Sequence, residues 1–114
     1  MAAQTPDQVH AMFVRLFNQR DLDGLLDMYV EDAVLLDKNG PCRGKAAIRE
    51  HMQGLLATGA SLHMDTRVAT VGPGVALLSA DWRVEGVGSG KTAEVAVQGA
   101  DGLWRVAVDH PMGI

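Results

Sequence analysis

Cys42 is the only cysteine in 114 residues, so it has no partner for an internal disulfide. Neither a CxxC pair nor an HExxH motif is present. A reducing compartment follows as the default, and a cytoplasmic location is the expectation. No apolar run approaches the ~18 residues that a membrane-crossing helix needs. The opening MAAQTPDQVH lacks the basic stretch followed by an apolar run that marks a secretory leader. No excess of positive charge exists either. The net charge is −4, from ten basic and fourteen acidic residues. The two halves of the chain carry the same imbalance, so nucleic acid and membrane are both absent from the expected partners. Repeats, linkers and low-complexity segments are missing, as is any glycine-rich phosphate loop. His10, His51, His63 and His110 show no pair at ligand spacing on one face, so neither a metal nor an organic cofactor is expected.

What is present is an ordinary globular composition, 47% hydrophobic and 21% charged. Residues 1–114 are expected to form a single domain, long enough for one real core. Four of the thirteen glycines precede Gly59, and helical pattern fills that part. Thr5-Pro6-Asp7-Gln8 reads as a capped helix start. Val9, Met12, Phe13, Leu16 and Phe17 then make one apolar stripe. Asp21 can cap a second helix with the stripe Leu22, Leu25, Leu26 and Tyr29. Ala33 to Asp37 reads as a short strand, and Lys38 to Gly44 as a turn-rich loop. A third helix is predicted from about Lys45 to Ala57, with Gly59 as its stop. Four strands follow: Ser61–Val71, Val75–Glu85, Lys91–Gln98 and Leu103–His110. Short turns separate them, so sequence neighbours should run antiparallel. Helices first and strands last predict an α+β fold with helices on one face of a bent sheet.

One pair of acids is placed by register. A two-residue turn at Asp101-Gly102 sets Glu94 opposite Asp109, Val95 opposite Val108 and Gln98 opposite Arg105. Like charges at that spacing raise one another's pKa, so one of the two can hold a proton near neutrality. Val95, Val97, Trp104, Val106 and Val108 would share the other, apolar face. Either that face meets the helices and the acids are solvated, or the acids point inward and the apolar face meets a second subunit. Asp81-Trp82-Arg83 reads as an exposed ion pair, and Cys42 as a loop thiol without a base.

The order of elements resembles the nuclear-transport-factor-2-like superfamily, in its ketosteroid-isomerase-like or SnoaL-like branch. Asp21-Leu22-Asp23, Met28–Ala33, Arg43–Ile48, Asp101–Arg105 and Asp109-His110-Pro111 carry the likeness over nearly the whole chain. The resemblance implies a cone-shaped, cystatin-like fold: three N-terminal helices on a curved, mostly antiparallel sheet, with an apolar pocket at the wide end. It puts the isomerases' carboxylate base on Asp37 and their protonated acid on Glu94. Of their three tyrosines, one matches Tyr29, while the others fall on Phe13 and Met52, which carry no donor. It implies Phe13, Tyr29, Met52, Leu78 and Trp82 as pocket lining. The expected ligand is a small apolar or carbonyl-containing molecule. The expected chemistry is acid–base isomerisation, cyclisation or dehydration, with Asp37 as base and Glu94, sharing a proton with Asp109, polarising the substrate. A homodimer through the outer sheet face completes the expectation. A non-catalytic ligand-binding or dimerisation module is the competing one.

Overall fold

Helix α1 spans Val9–Asn18 and follows a 3-10 turn at Pro6–Gln8, whose fixed proline angle opens the first turn. In the computed structural model, which describes residues 2–114, the Thr5 hydroxyl makes no capping bond there. Helix α2, Leu22–Asp27, does start as its sequence predicts: Asp21 Oδ1 accepts from the Gly24 amide at 2.9 Å. Gly24 is required for that cap, because a Cβ there would lie 2.5 Å from the Asp21 carboxylate. Strand β1, Tyr29–Asp37, starts four residues earlier than predicted. The predicted loop after it contains a further strand, β2, Gly40–Arg43, which pairs back on β1. Helix α3 covers Gly44–Leu56.

The remaining strands are β3 Leu62–Gly72, β4 Val75–Val84, β5 Gly88–Lys91, β6 Ala93–Gln98 and β7 Trp104–His110. They form one sheet in the order β2-β1-β7-β6-β4-β3, with β5 continuing the line of β6 along β4. Among the described residues only β1 and β7 run parallel; every other pairing is antiparallel. The helices lie on one face. Val9, Phe17, Leu25, Leu35, Ile48 and Leu78 are sealed between the layers, each contributing about 1.5–3 kcal/mol of burial. The fold is thus α+β with three helices on a mostly antiparallel sheet, as predicted.

The β6–β7 register carries a correction. Gly99 N donates to Leu103 O at 2.8 Å and Gly102 N to Gly99 O at 2.9 Å, so the loop holds three residues rather than two. Gly102, at φ +79°, takes the left-handed angle that such a loop needs. Gln98 therefore faces Trp104, not Arg105. Further along, Val95 pairs with Val108 but Ala96 with Val106, leaving Ala107 as a bulge. The bulge cancels the loop's offset, and Glu94 does face Asp109. It also splits the predicted apolar face. Trp104 and Val106 turn inward with Asp109, and only Val95, Val97 and Val108 stay outside. Val75 and Leu77 on β4 join them, opposite Val97 and Val95, so the outer apolar patch is centred on β4 and β6 instead.

Candidate functional site

A cavity of about 440 Å³ opens between the helices and the inner face of the sheet. Its walls are apolar, with Val9 and Phe13 from α1, Leu35 from β1, Met52 from α3, Trp82 from β4 and Val106 from β7. Phe13 meets Tyr29 edge to face, with ring centres 6.2 Å apart. Trp82 is fixed by its indole N–H, which donates to the carbonyl of Pro111. Of the predicted lining, Phe13, Tyr29, Met52 and Trp82 border the cavity. Leu78 does not: it points inward from β4 but is wholly enclosed in the core.

The three predicted acids all border this cavity, at two different depths. Glu94 and Asp109 lie at the buried end, 5% and 8% exposed. Oε1 of Glu94 accepts from the Thr92 hydroxyl at 2.9 Å and lies 2.9 Å from Nε2 of His10. Oδ2 of Asp109 accepts from the Tyr29 hydroxyl at 2.6 Å. Every fully enclosed side-chain polar atom among the described residues has a hydrogen-bond partner. The other oxygens of the two acids have no such partner, so they open onto the cavity. Burial, reinforced by the charge of Glu94, pushes the Asp109 carboxyl up to about 7, against the opposing pull of the Tyr29 bond. Burial, and then Asp109 beside it, push the Tyr29 phenol well above its usual value.

Asp37 stands at the open end with Lys38 and His51. Its Oδ1 lies 3.8 Å from His51 Nδ1, with both side chains partly exposed. Burial lowers the His51 pKa and Asp37 opposes that, so the ring is largely neutral at pH 7. The exposed side chains of Leu36, Val87 and Met112 complete the rim.

Sequence reasoning missed His10, Thr92 and His51. For His10 a signal existed: with Phe13 and Phe17 it makes an i, i+3, i+7 series, and that face of α1 looks into the cavity. His63 pairs with Glu85 at 3.3 Å on the surface, and His110 donates to the Gly113 carbonyl at 3.2 Å. The predicted Asp81–Arg83 pair does not form. Asp81 bridges Arg67 and Lys91, while Arg83 approaches Glu85. Cys42 faces Leu35 across β1 and β2, and burial, with Asp37 and Glu50 nearby, raises its thiol pKa.

The sequence pattern of the SnoaL-like domain family matches residues 9–109. Among curated proteins no sequence relative is found. Solved structures share the fold at low identity. A provisionally assigned calcium/calmodulin-dependent protein kinase type II association domain from Thiobacillus denitrificans superposes with a TM-score of 0.80 at 16% identity, over 96% of this chain and 95% of that one. A provisionally assigned ketosteroid isomerase from Shewanella frigidimarina gives 0.76 at 15%, over 90% of each. A protein of unknown function with a cystatin-like fold from Nostoc punctiforme gives 0.75 at 16%, over 91% of this chain and 84% of that one.

Proposed function

We propose that this chain, which belongs to the SnoaL-like domain family, holds a small, largely apolar molecule in the cavity and moves a proton on it. The observation that carries the reading is the pair of enclosed acids opening onto apolar walls. An apolar body fits those walls, and a single carbonyl or hydroxyl is the group that the free carboxyl oxygens recognise. Asp109, protonated near neutrality, donates to that oxygen as charge develops on it. Asp37, at the mouth, takes a proton from the neighbouring carbon. Phe13 and Met52 supply no hydroxyl, which favours binding without turnover as the second reading. A second subunit covers the outer patch of Val75, Leu77, Val95, Val97 and Val108, since monomers rarely leave such a patch wet.

The probe is 2-tetralone, an apolar ketone with acidic α-hydrogens, incubated in deuterium oxide. Deuterium uptake above buffer should be on the order of a hundredfold. Asp37→Asn should abolish the uptake without weakening the quenching of Trp82 fluorescence by the probe. Quenching without uptake would leave the binding reading, and neither effect would reject both.

A further inference from the structure

Glu94 and Asp109 are paired across adjoining strands, both are more than nine-tenths buried, and both open on one cavity. Two carboxyls so placed cannot both ionise cheaply, so near neutrality one proton resides on the pair. The donors around them decide which acid holds it. The Thr92 hydroxyl oxygen accepts from the Ala80 amide at 2.9 Å, so its one hydrogen goes to Glu94. Asp109 has one donor, Tyr29. The deciding group is His10. Its Nε2 faces Glu94, and its Nδ1 lies 2.8 Å from the Thr66 hydroxyl. If Thr66 donates to Nδ1, the ring carries its hydrogen on Nε2 and gives Glu94 a second donor. In the opposite tautomer Nδ1–H donates to Thr66, and a bare Nε2 lone pair faces Glu94, which must then carry a proton itself. Thr66 lies exposed on the edge strand β3, and its hydroxyl can serve in either sense.

We propose that His10, oriented by Thr66, selects which of the two opposed acids carries the proton. The Nε2–H tautomer leaves Glu94 ionised and Asp109 protonated, with a free O–H for a ligand. The Nδ1–H tautomer reverses the two roles. In passing from the first state to the second, Nε2 gives its proton to Oε1 of Glu94. Nδ1 takes one from the Thr66 hydroxyl, which water restores, and Asp109 releases one into the cavity, so the total is unchanged. The donor count favours the first state, in line with the raised Asp109 carboxyl. The charged and titratable groups that meet the cavity come from helices, strands and one turn. His10 comes from α1, Tyr29 and Asp37 from β1, Lys38 from the turn after it, His51 from α3, Glu94 from β6 and Asp109 from β7. The β3 and β4 residues there are apolar among the described residues.

The inference rests on Glu94 and Asp109 as the cavity's working acids, but its test needs no ligand, so a failure with 2-tetralone leaves it decidable. Side-chain ¹⁵N NMR of the wild type should show His10 as the Nε2–H tautomer at neutral pH, and ¹³C carboxyl titration should put the near-neutral transition on Asp109. His10→Phe leaves each acid one donor, so the near-neutral transition should be shared between Asp109 and Glu94, and His10→Gln, which keeps a donor, should return it to Asp109. Tyr29→Phe, acting on the other side, should raise the Asp109 midpoint by at least about one pH unit while leaving the proton where it is. A near-neutral transition that stays wholly on Asp109 in His10→Phe would overturn the proposal. So would a wild-type Nδ1–H ring beside a protonated Asp109, which decides the matter even if His10→Phe does not fold.

Discussion

The two ends of the cavity hold the same kinds of group in opposite conditions. At the buried end, Glu94 and Asp109 face each other beside His10, with Thr92 and Tyr29 as further donors, and little water reaches them. At the mouth, Asp37 stands beside His51 at 3.8 Å with both side chains partly in water. Enclosure raises the Asp109 carboxyl to about 7, and at the mouth the chief effect is a lowered imidazole. Residue type alone does not assign acid and base here. Depth separates them: in the proposed function it makes Asp109 the proton donor and Asp37 the base.

The largest effect that would break this contrast is on stability against pH. Folded Asp109 keeps a proton that the unfolded chain, with an ordinary value near 3.8, has released. Its favourable contribution is therefore complete below that ordinary value and is lost as pH rises toward about 7. The loss approaches about 4 kcal/mol for the whole span. Urea unfolding at pH 4 to 8 should show this slope in the wild type and a much flatter profile in Asp109→Asn. Asp37→Asn should leave the slope intact, and an equal flattening there would erase the difference between the two ends.

Phe13 sharpens the contrast from the wall. It is half-buried against Tyr29, so Phe13→Ala should cost about 3 kcal/mol, the low end for such a change. Phe13→Tyr should be tolerated because the ring borders open space, and urea midpoints would check both. On the outer face, Leu77→Lys should convert a dimer to a monomer by light scattering at micromolar concentration, with the fold kept by circular dichroism. A wild-type monomer would remove the dimer altogether. The smallest effect belongs to the exposed Asp81 bridge. Lys91→Ala should leave the urea midpoint nearly unchanged, since Arg67 remains.

Much of this was legible in the sequence where a signal is local. Asp21 before an apolar stripe marks a helix start because a carboxylate satisfies a free amide at short range. The pairing of Glu94 with Asp109 was reached through two offsets that cancel, the extra loop residue and the bulge at Ala107. A bulge leaves no mark in alternation, so alternation alone puts Trp104 and Val106 on the wrong face. His10 was hidden for another reason. Its helical series with Phe13 and Phe17 was visible, but a polar residue on an apolar stripe means something only once its partners, 56 and 84 residues away, are known. Thr92 has its role because its hydroxyl links the Ala80 amide to Glu94, which no periodicity reveals.

The most direct test is the Asp109 carboxyl ¹³C titration in the wild type and in Glu94→Gln. A midpoint at about 7 is expected, falling when the neighbouring charge is removed. A midpoint near the ordinary 3.8, unmoved by Glu94→Gln, would contradict an enclosed, proton-sharing pair at the end of this cavity.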